Sequence, residues 1–233
     1  MDNKQQTNIA AYRTEEALAK YSNYFLYPNE RYLINKYFSK DKNVLDLACG
    51  GGRTTLPLHE MGFTCKGVDL SDTLINAAAK RFPYINFEQG DYCDLQEPDQ
   101  SYSQVLLSHN GLDYAHPEEN RIKAIKEIYR VLKPGGVFIF SSHNINSLHF
   151  SPYYFVNYKR LGWKLKNTLT AFQEKAYVLD LNMYAFFATN QYIIKQMERE
   201  RFSLLELVGF RMSKNSFFTN FISPYNHFVF RKA

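Results

Sequence analysis

Five residues in the first half of the chain have types and spacing suited to holding a ligand. Asp46 lies in a short apolar run, "NVLDLA", which stops at "CGGG" and so places Gly50 and Gly52 in a GxG turn. Asp69 closes a second apolar run, "TCKGVDL", and Asp91 follows a third, in "FEQGDYCDL". Glycines let a backbone approach a ligand closely and take φ > 0. An acidic residue about 20 positions past such a turn is placed to accept from ribose hydroxyls.

Two ligand classes fit a lone GxG, a nicotinamide dinucleotide and S-adenosylmethionine. Three features separate them. The dinucleotide fingerprint has a third glycine or alanine, which lets helix pack on strand, and Thr55 stands there instead. Asp46 lies just before the turn, where a carboxylate repels a pyrophosphate but favours a methionine ammonium, directly or through a water. Asp91 follows the third strand, where it can accept from an adenine amine. It could also serve only an Asx turn.

The elements that position these residues follow from periodicity. Continuous apolar strands are predicted at "NVLDLA", "TCKGVDL", "INFEQGD", "SYSQVLLSHN" and "VFIFSSHN". Between them lie helices: "GRTTLPLHEMG"; "SDTLINAAAKRF", with Ser71 as N-cap and Leu74, Ala77, Ala78 and Phe82 inward; and "PEENRIKAIKEIYRVLK", with a stripe of Ile122, Ile125, Ile128, Tyr129 and Leu132. Repeated β–α units imply a parallel sheet covered on both faces. "NQYIIKQMERERF" is predicted as a helix, and "SLLELVGF" and "HFVFRKA" as strands. The N-terminal region reads as helical: "TEEALAKYSNYF" with Thr14 as N-cap and Leu18, Tyr21 and Phe25 at helical spacing, a break at Pro28, then "NERYLINKYF" with Tyr32, Leu33, Lys36 and Tyr37.

Bulk composition bounds the function. The chain has 233 residues, 45% hydrophobic and 22% charged, enough for one sizeable domain. A net charge of +5 without a long Lys/Arg run is a weak nucleic-acid footprint. Cys49, Cys65 and Cys93 form no CxxC pair, so no metal site or disulfide is expected. The polar N-terminus carries no apolar signal region and no segment approaches the ~20 apolar residues of a membrane span. The expected location is the cytoplasm, with no membrane partner.

"VLDLACGGGRTTLPL", "GVDLS", "FEQGDYCDL" and "EIYRVLKPGGVFIFSSHN" together resemble the successive motifs of the class I S-adenosylmethionine-dependent methyltransferases, small-molecule branch, over about 43–144. The resemblance implies an α/β fold, a three-layer α/β/α sandwich with a seven-stranded, mostly parallel sheet in the order 3-2-1-4-5-7-6, the last strand antiparallel. The expected organisation is a single domain with an N-terminal helical cap (1–42), a cofactor-binding core (43–144), an aromatic, substrate-covering insertion after the fifth strand (145–189), and a helix and strand hairpin completing the core (190–233). Carried over by motif, Asp46, Ala48, Gly50 and Gly52 would line the methionine end, and Asp69 would take both ribose hydroxyls. Leu70 would pack on the adenine, Asp91 would accept from its amine, and Tyr92 would sit beside the ring. Ser108 would offer its backbone carbonyl to the ammonium. Arg53 reads as a helix-start residue that could reach a carboxylate. Arg201 departs from the glycine common at this turn.

The implied reaction is in-line displacement at a sulfonium methyl by an O or N atom of a small-molecule acceptor, releasing S-adenosylhomocysteine. A hydroxyl acceptor needs a base, and histidine suits neutral pH. His109 and His143, after the fourth and fifth strands, are the candidates, with His149 nearby; His59, His116 and His227 read as structural or exposed. The insertion's aromatics, Tyr153, Tyr154, Phe155, Tyr158, Trp163, Tyr177, Tyr184, Phe186 and Phe187, could form a lid or the core of a helical subdomain. Its cations Lys159, Arg160, Lys164, Lys166 and Lys175 suit a phosphorylated acceptor or a solvated face. Tyr12, Tyr24 and Tyr27 are placed to close over the cofactor from the other side. No Asp/Asn-Pro-Pro-Tyr/Phe follows the fourth strand, so a DNA acceptor is not expected. An RNA acceptor, a non-catalytic partner subunit and a nicotinamide-dependent oxidoreductase stand as alternatives. Monomer and homodimer both stand open.

Overall fold

The computed structural model describes residues 3–11, 14, 24–147, 173–180 and 183–233. Its centre is β1 (Val44–Leu47), buried along its whole length. It pairs in parallel with β2 (Cys65–Asp69) on one edge and β4 (Tyr102–Leu107) on the other. β3 (Asn86–Gln89) continues the sheet beyond β2, and β5 (Leu132–Asn144) beyond β4. β9 (Tyr225–Lys232) runs antiparallel between β5 and β8 (Phe202–Gly209). In the numbering used for the sequence, where these last two strands are the sixth and seventh, the order is the expected 3-2-1-4-5-7-6.

Alternate strand residues feed two cores, which makes the architecture three-layered. Leu45, Leu47, Val105, Leu107, Phe138, Phe140, Phe228 and Phe230 join one cluster; Val44, Leu106, Ile139 and Val229 join the other. Two more strands lie outside the expected seven. β6 (Lys175–Asp180) and β7 (Met183–Ala188) form an antiparallel hairpin. His143 pairs with Phe187 of β7 and with Tyr225 of β9, so these strands occupy opposite edges of β5. β7 therefore continues along the edge that β4 leaves after Leu107, above the carboxyl end of the sheet.

The helices are α1 (Asn3–Ala11), α2 (Pro28–Tyr37), α3 (Thr55–Glu60), α4 (Asp72–Arg81), α5 (Glu118–Val131) and α6 (Asn190–Arg199). Residues 24–27 are non-helical, and Pro28 is the first residue of α2, where its missing N–H costs nothing. The expected helix from Thr14 through Leu18 and Tyr21 falls largely outside the described residues. On α2 the buried positions are Asn29, Glu30, Leu33 and Ile34, while Lys36 is exposed. On α5, Arg121 and Ala124 are buried beside Ile125 and Ile128, and Ile122 is only half-buried. Ser71 caps α4, accepting from the Leu74 N–H. Arg201 has φ +63°, the left-handed geometry that glycine relieves.

The helix–strand contact that a third glycine would permit is made from the strand side. A Cβ on Gly67 of β2 would lie 2.9 Å from Thr55 Oγ1 and 2.9 Å from Cys49 Sγ. Thr55 stands at the position of that third glycine and donates its hydroxyl to Asp46 Oδ2. No described helix is long and apolar enough to cross a membrane.

Candidate functional site

The chain reverses strand order around β1, and a cleft opens there at the carboxyl ends of the strands, as open α/β sheets favour. It encloses about 920 Å³ of empty space, part of it open to solvent. Ala48 (φ 51°) and Gly50 (φ 59°) turn the backbone sharply after β1 and line it. Asp69, Leu70, Asp91, Tyr92, Ser108 and His109 line it as well.

Asp69 is the best-defined acceptor. Its Oδ2 accepts from the Gly50 N–H at 2.8 Å and its Oδ1 from the Ser71 N–H at 2.8 Å. Burial raises its carboxyl; these two N–H groups offset part of that. A carboxylate has about four lone-pair sites, so each oxygen keeps one for a ligand. Asp91 Oδ1 accepts from the Cys93 N–H at 2.8 Å, the Asx-turn contact its sequence allows. Tyr92 donates its hydroxyl to Gly111 O at 3.2 Å. The Ser108 carbonyl accepts from the Gly111 N–H at 3.0 Å.

Asp46 sits beneath the turn rather than on the cleft wall. It is fully buried, and Thr54 and Thr55 both donate to its Oδ2 at 2.6 Å. Its Oδ1 has no partner. Burial pushes the carboxyl up to about 6, against the lowering effect of the two threonine hydroxyls and Arg53. Gly52 also lies off the cleft: at φ +92° its missing Cβ would meet the Phe87 ring at 3.0 Å.

His143 is placed differently from His109. Its Nδ1 and backbone N–H both reach Asp113 Oδ2, at 2.8 and 2.7 Å. Its Nε2 lies 3.1 Å from Asn110 Nδ2, and its ring stacks on Phe187. With both ring nitrogens engaged and no place on the cleft wall, it is not positioned to take a proton there. His109 stands in a left-handed turn with Asn110 (φ 52° and 57°), its ring 6.0 Å from that of Tyr27. Two successive non-glycine residues in this region store strain that the surroundings must hold. The Asn110 N–H donates to Ser141 Oγ at 2.8 Å.

Asn8, to which the sequence assigned no role, and Arg53 complete the walls. Asn8 of α1 is buried; its Nδ2 donates to Tyr114 O and Tyr184 O, and its Oδ1 accepts from the Tyr184 N–H. It thereby mimics a strand edge and holds α1 to β7. Arg53 lines the cleft and reaches the buried Glu30 of α2. Among the expected closing tyrosines, Tyr24 packs on Phe82 and under Arg81 instead, and Tyr12 lies outside the described residues. So do His149, Tyr153, Tyr154, Phe155, Tyr158, Trp163, Lys159, Arg160, Lys164 and Lys166. Lys175 is bonded to Glu118 and Tyr192, which neutralises it. Phe186 and Phe187 belong to core clusters. Among the described residues no group of three His, Cys, Asp or Glu could hold a metal ion.

The comparisons with known proteins bear on this geometry. Residues 44–136, from the start of β1 into β5, match the profile of a methyltransferase domain. That segment is similar to the methyltransferase domain family. Similar curated proteins are a demethylmenaquinone methyltransferase of Leptospira interrogans, 37% identical over 116 residues (46% of this chain, 45% of the relative), and one of Renibacterium salmoninarum, 33% identical over 95 residues (41% and 38%). The chain spans less than half the length of these relatives. Among solved structures, a Burkholderia thailandensis 1,6-didemethyltoxoflavin-N1-methyltransferase, solved with that compound and S-adenosylhomocysteine, superposes with TM-score 0.68 at 15% identity, covering 98% of this chain and 87% of that one. A Methanosarcina mazei S-adenosylmethionine-dependent methyltransferase gives 0.66 at 19% identity, covering 89% and 98%. At these identities the structural likeness concerns the fold alone.

On the cleft wall Asp69 keeps unused lone pairs beside the apolar Leu70 and Leu74, and beneath the turn Asp46 Oδ1 has no hydrogen-bond partner.

Titration beneath the cleft gives a test. His227, buried and 3.3 Å from Asn29 Nδ2, is pushed down by burial to about 4 from 6.5. The unfolded chain takes this proton below pH 6.5 and the folded chain only near 4, so His227 costs stability as pH falls through that window. Asp46 has the opposite sign: the folded chain holds its proton up to about pH 6, so its cost is relieved as pH falls from 6 towards 3.8. His227→Gln is therefore expected to gain about 2 to 3 kcal/mol relative to the parent protein between pH 7 and pH 4.5. Urea unfolding at the two pH values measures the difference. A constant difference would mean that His227 is charged in the folded state.

Proposed function

We propose that this chain is an S-adenosylmethionine-dependent methyltransferase that acts on an O or N atom of a small-molecule acceptor and releases S-adenosylhomocysteine. The observation that carries the reading is the convergence of the glycine turn and Asp69 on one cleft, with Gly50 N–H bonded to the Asp69 carboxylate. The cofactor supplies a methyl group already activated by a sulfonium. The chain's own task is to bind, orient and exclude water, and proximity alone can contribute ~7–11 kcal/mol. Asp69 takes the ribose hydroxyls, Leu70, Tyr92 and Asp91 the adenine, and Asp46 with the turn at Ala48 and Gly50 the methionine end. Gly52 supports that turn by leaving free the space beside the Phe87 ring that a Cβ would enter. Ser108 offers its carbonyl's second lone pair to the ammonium.

The remaining cleft wall, Asn8, His109, Gly111 and Tyr114, is the acceptor end. Among the described residues this end of the cleft holds no carboxylate. Two of the relatives are named for small-molecule acceptors, a demethylmenaquinone and 1,6-didemethyltoxoflavin, which supports that class. A cytoplasmic location agrees with such chemistry.

His109 is the base in this reading. His109→Ala is expected to lower turnover of a hydroxyl acceptor ~10²–10⁴-fold while S-adenosylhomocysteine affinity stays within about twofold. Single-turnover kinetics, paired with calorimetry, separate the two effects. Turnover near the parent value would remove His109 from the chemistry and favour an amine acceptor, which needs no base.

A further inference from the structure

A buried ionic cluster adjoins the glycine turn and has no assigned task. Arg53 and Glu30 are only 6% and 1% exposed. Arg53 Nη1 donates to Glu30 Oε2 at 3.1 Å and to Phe25 O at 3.0 Å; Nη2 donates to Glu30 Oε1 at 2.8 Å and to Ser108 Oγ at 2.7 Å. Ser108 Oγ in turn donates to Glu30 Oε1, and the Tyr27 N–H donates to Glu30 Oε2. Every Nη hydrogen is thereby used, so Arg53 cannot present a bidentate fork to a ligand carboxylate without releasing these partners. A buried ion pair is also a weak source of stability, because desolvation offsets the attraction. What remains is its charge, at a cleft-lining position bonded to Ser108.

Resting on the reading of the cleft given above, we propose that Glu30 is a charge-balancing residue for the cofactor site. By cancelling the Arg53 guanidinium it lets the cleft accept S-adenosylmethionine, which carries one positive charge more than S-adenosylhomocysteine. Glu30 touches neither ligand; it acts through Arg53 and positions Ser108. Removing its charge leaves a buried cation near the methionine end, and that cation repels the sulfonium form more than the neutral thioether. Removing Arg53 alone leaves an uncompensated carboxylate and shifts the preference the other way.

The test is equilibrium binding of each ligand to the full chain, read as the ratio of the two dissociation constants. Glu30→Gln is expected to raise the S-adenosylmethionine to S-adenosylhomocysteine ratio about tenfold, as expected for an unscreened unit charge at intermediate distance. Arg53→Gln is expected to lower it, and the double variant to return it to within about twofold of the parent. If Glu30→Gln does not fold, the Arg53→Gln and double-variant ratios decide alone. Parallel weakening of both ligands with an unchanged ratio would overturn the proposal and leave the cluster a packing feature. Binding of neither ligand by the parent chain would overturn the reading of the cleft itself, a distinguishable failure.

Discussion

Asp69→Ala is expected to weaken S-adenosylhomocysteine binding roughly a hundredfold or more. Hydrogen bonds to a charged acceptor contribute ~1.5–3 kcal/mol each, and the ribose diol offers two. Alanine also strips the Gly50 and Ser71 N–H groups of their acceptor, so the turn that follows β1 loses the contact fixing its distance from β2. Asp69→Asn separates these effects. It retains one acceptor oxygen and the side-chain volume, so it should recover part of the affinity if loss of the turn dominates, and little if the charge dominates. Calorimetric titration with S-adenosylhomocysteine, S-adenosylmethionine and NAD(H) reads all three ligands side by side. Undiminished S-adenosylhomocysteine affinity in Asp69→Ala would sink the cofactor assignment, and binding of NAD(H) alone by the parent chain would replace it.

Much that depended on local sequence was legible. The turn at "CGGG", the N-cap at Ser71 and the strand succession follow from periodicity and from residues a few positions apart, and the strand order followed from the resemblance they carry. The residues brought to the cleft from that reading, Ala48, Gly50, Asp69, Leu70, Asp91, Tyr92, Ser108 and His109, all sit at or just after strand ends. Side-chain direction was less legible. His143 follows its strand as His109 follows β4, yet it turns to Asp113 and away from the cleft. Pairings between distant segments were illegible: Asn8 to Tyr184, and which carboxylate Arg53 reaches, Glu30. The β6–β7 hairpin escaped notice because it interrupts the β–α rhythm without being helical. Arg121 escaped because an apolar stripe excludes charge, and its burial depends on a partner in a different element.

That partner gives the second large expected effect, on stability. Asp113, in the 3-10 turn Gly111–Tyr114, has all four acceptor sites filled. Oδ1 accepts from Arg121 Nη1 at 2.8 Å and Ser142 Oγ at 2.7 Å; Oδ2 accepts from the His143 N–H and Nδ1. Both Asp113 and Arg121 are fully buried. Asp113→Asn replaces two acceptors with one and leaves the guanidinium without its counter-charge, which is expected to cost ~3–5 kcal/mol. Arg121→Met should cost about half as much, because Asp113 keeps three donors and methionine can pack on Phe186, over which Arg121 now lies at 4.5 Å. Urea midpoints at constant m-value measure both losses. Near-equal losses would mean that the ion pair, not the donor set, holds Asp113. A loss under ~1 kcal/mol in Asp113→Asn would mean the network does not form. The asymmetry matters for the cleft, because Gly111 and Tyr114 of the same turn form its acceptor end. A turn anchored by four donors from two neighbouring elements can hold His109 and Asn110 in strained left-handed geometry, and a turn anchored by one salt bridge could not.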